Sequence, residues 1–376
     1  MSAAAWRKAM NTGAAAHAWA PARPASLPAS STAPADTPAR LAWIQPRHVI
    51  VVAALLVYPW VATPFFTFQI AAQALVLGLI ALSLMFLAGH GGMVSLSQMT
   101  IAGIAAYAVA IFGVSTTPEG LVLNWPWWVA VPIAVAVATL AAALIGWLSV
   151  RTDGIYTIMI TLAVGVAFYY LVLQNYSVLA GFQGFQKVAP PVLLGINWRS
   201  PVPFYYLALF WGLAGYLVVK YVARSPFGLA LQGLRDNARR MEALGFDVNL
   251  HRIAAHALAG TIAAVGGVLL VWYDGLVTPA SIGTNTLINI LIIAVIGGMR
   301  HPVGPFLGAL VFVLLQNFAI DLVNRERFNL VIGTGFLLIV LFSPDGLLGL
   351  WARLRARLGS AAGGPPPVRR GDGMHR

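Results

Sequence analysis

The sequence predicts an all-α integral membrane protein of about ten transmembrane helices, with glycine-rich helix interruptions and one helix on the cytoplasmic face. Of the 376 residues, 59% are hydrophobic and only 9% are charged, whereas about 25% of residues are charged in an ordinary soluble domain. A soluble protein needs a polar surface in contact with water, whereas a lipid-facing surface tolerates this composition. Long apolar runs also recur between residues 48 and 342.

Composition divides the chain into three parts. Residues 1–46 are rich in Ala, Pro, Ser and Thr, which predicts a disordered cytoplasmic tail. Residues 47–350 hold the apolar runs and form the predicted transmembrane domain, which includes a long cytoplasmic loop at 223–252. Residues 351–376 are predicted to be a basic cytoplasmic C-terminal tail.

A transmembrane helix requires about 20 consecutive apolar residues, and ten segments approach this requirement. One short segment, 286–297, follows Pro279 and Gly283 and is predicted to be half of a broken helix. Another, 330–342, needs its flanking residues to cross a bilayer. The ten predicted spans are 48–65, 69–88, 98–114, 127–150, 154–173, 204–222, 253–272, 286–297, 305–322 and 330–342.

The distribution of positive charge supports this topology. With the N-terminus inside, 19 of the 23 Lys and Arg residues fall on the cytoplasmic side, as the positive-inside rule requires. An even number of spans then places both termini in the cytoplasm. Because the basic residues lie mainly in loops and tails, the net charge of +12 reflects this bias, and we expect no nucleic-acid partner.

The sequence disfavours an enzyme. There are no cysteines, which excludes thiolate metal sites and thiol catalysis. The three lysines precede Ala9, Val188 and Tyr221, so no phosphate-binding P-loop is present. We expect no metal site and no catalytic residues. The first six spans hold no Asp or Glu, which disfavours a proton-driven carrier and indicates an energy source outside the chain.

Two glycine-rich interruptions contain the same Gly-Gly-Met sequence, one at 91–93 and one at 297–299. They are either two tight turns or a pair of discontinuous helices whose free backbone groups line a polar path. Polar residues within the spans either line this path or form hydrogen bonds that join neighbouring helices. The predicted path residues are Gly91, Gly92, Ser95, Ser97, Gln98, Thr161, Asn289, Gly297 and Gly298.

The cytoplasmic loop predicts a short amphipathic helix. Its apolar residues recur at helical spacing, at Leu231, Leu234, Ala238 and Met241. Asp236 and Arg240 are spaced to form an i, i+4 ion pair, and Gly245 suits a left-handed helix cap. Such a helix either rests on lipid headgroups or docks into a groove of a cytoplasmic protein. The spacing alone does not separate these alternatives.

Several of these segments resemble motifs of the branched-chain amino acid ABC transporter permeases of the LivM type. The similarity extends over roughly residues 70–350 and keeps the order and spacing of the family's motifs. Residues 242–245 resemble part of the coupling loop of ABC importers. The segments that carry the resemblance are 91–98, 102–107, 151–156, 161–163, 224–228, 242–245 and 343–349.

This resemblance implies an importer subunit in a bacterial inner membrane. Such permeases pair with a second homologous permease and two cytoplasmic ATPases, and an extracytoplasmic binding protein delivers leucine, isoleucine or valine. ATP would bind to the partner ATPases, and no cofactor would bind to this chain. The expected ATPase-coupling residues are Arg235, Arg239, Glu242, Ala243 and Gly245. Alternatives are a permease for urea, short amides or another amino acid, and a stand-alone secondary carrier.

Overall fold

The structure, a computed structural model, describes residues 46–322 except 118, 119, 153, 189 and 194, together with the helical residues 333, 334, 337, 346, 347 and 349. The chain comprises two compact units, residues 1–53 and 54–376. Of the first unit, residues 46–53 are described, and they are helical. The predicted tails at 1–46 and 351–376 and the tenth span at 330–342 lie largely outside the described residues.

The described part of the chain is built from α-helices, which confirms the predicted fold class. A π-helical stretch, Phe66–Ala72, runs directly into α2, and a 3-10 turn, Pro279–Ile282, precedes α10. The helices are α1 (Pro46–Val61), α2 (Gln73–Gly91), α3 (Gln98–Phe112), α4 (Trp127–Ser149), α5 (Ile155–Gln174), α6 (Tyr176–Leu179), α7 (Pro201–Arg224), α8 (Pro226–Ala243), α9 (Val248–Asp274), α10 (Thr284–Gly297) and α11 (Gly304–Leu322). Four two-residue strands are β1 (Phe185–Gln186), β2 (Val192–Leu193), β3 (Ile196–Asn197) and β4 (Leu276–Val277).

Five helices are long and apolar enough to cross a membrane, namely Phe66–Gly91, Trp127–Ser149, Ile155–Gln174, Pro201–Arg224 and Val248–Asp274. Shorter apolar helices match the first, third, eighth and ninth predicted spans. The segment predicted to be half of a broken helix is a short helix, α10, which has 14 residues and follows the 3-10 turn and Gly283.

A proline explains one helix–helix contact. Pro59 lies inside α1 and has no N–H, so the carbonyl four residues earlier, that of Leu55, loses its helical partner. The Tyr205 hydroxyl donates a hydrogen bond to that carbonyl at 2.8 Å. The neighbouring Tyr206 hydroxyl donates to the Leu56 carbonyl at 2.9 Å. These bonds join α1 to α7.

Helix α9 lies at the centre of the core and packs against α2, α3 and α4. Glycines permit this approach, because small residues let helix backbones come close together. A Cβ on Gly260 would overlap Ala142 of α4, one on Gly266 would overlap Ile80 of α2, and one on Gly267 would overlap the Ala102 carbonyl of α3.

The loops group at the two ends of α9, which is about 40 Å long at 1.5 Å per residue. At its first end, His251 stacks on Phe227 of α8, with ring centroids 5.8 Å apart. At its last end, β4 pairs antiparallel with β1, and Thr116 forms a bridge with Gln186. Segments that the charge count places on one side of the membrane therefore lie together at one end of the helices.

Candidate functional site

The first helix break, residues 92–97, separates α2 from α3. Gly92 ends α2 in a left-handed conformation (φ +67°), and its N–H donates to the Leu87 carbonyl. A side chain disfavours this conformation, which explains the glycine. The predicted interruption is therefore confirmed as a turn within an otherwise apolar region.

A set of buried polar side chains surrounds this break, and we call it the polar cluster. It consists of Ser83, Ser95, Ser97, Gln98, Thr100 and Thr161, each of them fully buried. Ser83 belongs to α2, Gln98 and Thr100 to α3, and Thr161 to α5. The cluster therefore joins three helices and the break at one place in the bundle.

Specific hydrogen bonds order part of the polar cluster. The Ser83 hydroxyl is 3.0 Å from Gln98 Oε1 and 2.6 Å from the Ile80 carbonyl. The hydroxyls of Ser95 and Ser97 are 2.9 Å apart. Two polar atoms, Gln98 Nε2 and Thr100 Oγ1, have no hydrogen-bond partner among the described residues. Buried polar atoms normally have partners, so these two atoms distinguish the cluster from a fully hydrogen-bonded helix contact.

The second break, residues 298–303, lies against the end of α2. Gly298 adopts a left-handed conformation (φ +103°), and a Cβ on Gly297 would overlap the Gly304 carbonyl. A Cβ on Gly89 would likewise overlap the Met299 carbonyl. The two Gly-Gly-Met segments thus meet at the same end of the bundle, as paired interruptions would.

The predicted path residues are only partly brought together. Ser95, Ser97, Gln98 and Thr161 lie in the polar cluster, while Gly91, Gly92, Gly297 and Gly298 lie at the adjacent breaks. Asn289 is half-buried on α10, and its side chain makes no hydrogen bond with other described residues. The path prediction did not include Ser83 or Thr100. Ser83 meets Gln98 of another helix, and Thr100 is buried without a hydrogen-bond partner among the described residues, so only the folded packing identifies them.

An apolar groove of about 700 Å³ lies elsewhere, between α4, α7 and α9. Its lining includes five tryptophans and no member of the polar cluster. Within the described residues, no group of three or more His, Cys, Asp or Glu is placed to hold a metal ion.

Helix α8 lies at the end of the bundle where the two breaks meet. Ser225 caps its start by accepting a hydrogen bond from the Gly228 N–H at 3.2 Å, and Pro226 occupies the first turn. A Cβ on Gly228 would overlap the Val222 carbonyl. These contacts account for the Ser-Pro-Phe-Gly sequence, because they turn the chain sharply from α7 into α8.

The structure divides α8 at Asn237, whose backbone is non-helical (φ −159°, ψ 95°). The Asn237 side chain accepts a hydrogen bond from the Arg240 N–H at 3.0 Å and so caps a second short helix. The predicted Asp236–Arg240 ion pair is wrong. Asp236 pairs instead with Arg235 at 3.0 Å, because the kink interrupts the i, i+4 geometry.

Residues 242–247, which we call the exposed tip, comprise the last two residues of α8 and the four that follow it. All six are exposed, and they include the large apolar side chains of Leu244 and Phe246. Gly245 is left-handed (φ +88°), as predicted. Its N–H donates to the Glu242 carbonyl, and the Phe246 N–H donates to the Met241 carbonyl. This pattern is a Schellman cap.

The expected coupling residues are all exposed, Arg235 included, but they make different contacts. Arg239, Glu242, Ala243 and Gly245 are exposed beyond the Asn237 kink. Arg235 precedes the kink, and its guanidinium donates to the Gly89 carbonyl of α2. The sequence pattern did not predict this inward contact.

The chain matches one known protein family over most of its length. The profile of the family described as "Branched-chain amino acid transport system / permease component" matches residues 66–341. The chain is 26% identical over 345 residues to the high-affinity branched-chain amino acid transport system permease protein LivM of Escherichia coli, covering 84% of this chain and 79% of that protein. A probable branched-chain amino acid transport permease protein LivH of Methanocaldococcus jannaschii is 28% identical over 151 residues, covering 37% and 46% of the two chains. No solved structure is significantly similar to the chain.

Proposed function

Because the chain belongs to the family of branched-chain amino acid transport system permease components, we propose that it is the membrane subunit of an ATP-driven importer. It forms half of a translocation pathway for leucine, isoleucine and valine. A second homologous permease supplies the other half, as the similarity to both LivM and LivH proteins suggests. The protein lies in the inner membrane with both termini in the cytoplasm.

The exposed tip is the observation that carries this proposal. Leu244 and Phe246 are 68% and 39% exposed, at the end of the bundle that holds α8 and both breaks. The Schellman cap fixes the turn that presents them, so the tip needs little ordering when a partner binds. A partner with an apolar groove would cover these side chains, as an importer's ATPase would.

Energy reaches the transport pathway from outside the chain in this proposal. Two cytoplasmic ATPases bind and hydrolyse ATP, and this chain binds no cofactor. Closure of the ATPase pair moves the exposed tip and α8, and this movement opens the pathway beside the polar cluster. An extracytoplasmic binding protein delivers the solute to the opposite end. Selectivity is therefore expected to depend mainly on the binding protein.

The polar cluster supports an amino-acid pathway. An amino acid carries charged and hydrogen-bonding groups that are costly to leave unpaired in an apolar environment. Gln98 Nε2 is a free donor, and Thr100 Oγ1 can donate or accept. When the first break opens, these atoms would replace part of the solute's hydration.

The test is co-purification of the protein with the ATPases encoded beside its gene. We expect the wild type to retain an ATPase and the Glu242→Arg and Gly245→Trp variants to lose it while remaining folded. Ser177→Arg is the matched control, because Ser177 is exposed at the opposite end of the helices. A wild-type protein that binds no ATPase but transports amino acids alone in liposomes would contradict the proposal and indicate a secondary carrier.

A further inference from the structure

Arg235 joins α8 to the end of α2. Its Nη1 donates to the Gly89 carbonyl at 2.5 Å. Its Nε and Nη2 donate to Asp236 Oδ1 at 3.1 and 3.0 Å. Asp236 thereby fixes the orientation of the guanidinium, so that Nη1 points at α2.

The Gly89 carbonyl, which accepts this bond, is well placed to bind a cationic side chain. A helix leaves its last four carbonyls without intrahelical partners, and Gly89 supplies one of these in α2, which ends at Gly91. The partial negative charge at a helix C-terminus also favours a nearby cation. The contact therefore completes the end of α2 with a group from α8.

The surfaces around this bond fit closely. A Cβ on Gly92 would overlap the aliphatic part of the Arg235 side chain. A Cβ on Gly91 would lie 3.6 Å from a methyl group of Leu231, which is fully buried on α8. The glycines of the first break thus form the surface on which this part of α8 rests.

Arg235 also lies between the exposed tip and the polar cluster. The kink at Asn237 follows two residues later and separates the packed part of α8 from the tip. On the other side, the first break continues from Gly92 to Ser97 and contains two members of the cluster, Ser95 and Ser97. A displacement of the tip must pass through the packed part of α8 before it reaches the break.

We propose that Arg235 is a positioning residue that transmits movement of α8 to the first break, rather than a residue that contacts the ATPase. This inference rests on the proposed function. The Arg235–Gly89 bond makes α8 and the end of α2 move together. Without it, the tip still binds its partner, but its movement no longer reaches the polar cluster.

The experiment uses the complete transporter, with its ATPases and binding protein, in proteoliposomes. In Arg235→Ala we expect ATPase co-purification to equal that of the wild type. We expect transport per ATP hydrolysed to fall about tenfold, the equivalent of one charged hydrogen bond. Arg235→Lys keeps a cationic donor and should recover part of the coupling. Lys220→Ala is the charge-matched control, because Lys220 lies over the Tyr216 ring on α7.

A second measurement needs no ATPase. The chain has no cysteines, so spin labels can be placed at Leu229→Cys on α8 and Met159→Cys on α5, both exposed. We expect Arg235→Ala to broaden the distribution of distances between the labels, and Arg235→Lys to restore most of its original width. A purely local role for Arg235 would leave this distribution unchanged.

The outcomes separate the two proposals. A wild-type protein that binds no ATPase would overturn the proposed function. Loss of ATPase binding in Arg235→Ala would show that Arg235 belongs to the docking surface and would overturn the inference. Unchanged label distances or wild-type coupling in Arg235→Ala would also overturn it.

Discussion

The Leu96 N–H donates a hydrogen bond to the Thr161 hydroxyl oxygen at 3.1 Å, across 65 positions of sequence. Both groups are buried. The same hydroxyl donates to the Ile158 carbonyl one turn earlier, at 3.1 Å. Thr161 therefore fixes the first break to α5 and satisfies a backbone donor that the break removes from helical pairing.

This relationship predicts a stability difference between two substitutions. Thr161→Val keeps the shape of the side chain but leaves the Leu96 N–H unpaired, so the free energy of unfolding should fall by about 1–3 kcal/mol. Thr161→Ser keeps the hydroxyl and should lose less. Thermal unfolding of the detergent-solubilised variants measures the difference. Equal stability of the two variants would contradict the role assigned to the hydroxyl.

The Schellman cap at Gly245 predicts a conformational effect on docking. A Cβ at Gly245 meets nothing within 4 Å, so Gly245→Ala should act through the left-handed backbone alone, at a cost of about 1 kcal/mol. We expect ATPase binding to weaken about fivefold, the equivalent of that energy. Titration of the purified permease with labelled ATPase measures the affinity.

Gly245→Asn is the control for this prediction, because asparagine tolerates the left-handed region better than other residues with a side chain. It should bind the ATPase more tightly than Gly245→Ala. Weaker binding by the asparagine variant would show that the ATPase requires an unobstructed glycine surface instead of a fixed turn.

Sequence patterns were sufficient to predict the helices but not the contacts of the candidate site. Apolar length located nine apolar helices in the described residues, five of them long enough to cross a membrane, because burial in lipid requires apolar helices whatever their packing. Glycines also marked both helix breaks, since a left-handed turn at Gly92 or Gly298 favours that residue. These features are local, so a single sequence reveals them.

The contacts of the site are not local. Ser83 meets Gln98, and Arg235 meets Gly89, only when separate helices pack together. The helical periodicity of 231–241 did not reveal the kink, because Asn237 is compatible with a helix by composition and caps a new one through its side chain. The pairing of Asp236 with Arg235 follows from that kink.

The approach of α9 to α3 predicts a packing effect. A Cβ on Gly267 would overlap the Ala102 backbone carbonyl, and a backbone atom cannot move aside as a flexible side chain can. Gly267→Ala should therefore lower the free energy of unfolding by about 1–3 kcal/mol. Thermal unfolding in detergent measures this loss of stability, with Ala163→Val on the exposed face of α5 as a control. A stability equal to that of the wild type would contradict this packing.

Substitution of Gln98 distinguishes a role in transport from a role in joining helices. In Gln98→Met the side-chain volume is nearly kept, and the Ser83 hydroxyl retains its bond to the Ile80 carbonyl at 2.6 Å. No new unpaired donor is left, so stability should change by less than about 1 kcal/mol. If Gln98 hydrogen-bonds the solute, transport per folded protein should fall about tenfold, the equivalent of one hydrogen bond. Uptake of labelled leucine into proteoliposomes measures it.

Ser83→Ala is the comparison for this last prediction. It removes the donor to Gln98 Oε1 and leaves Nε2 in place, so it should preserve more transport than Gln98→Met. If instead Gln98 only joins α3 to α2, both variants should take up leucine as well as the wild type when equal amounts of folded protein are compared. That result would remove Gln98 from the pathway and leave the polar cluster with a structural role.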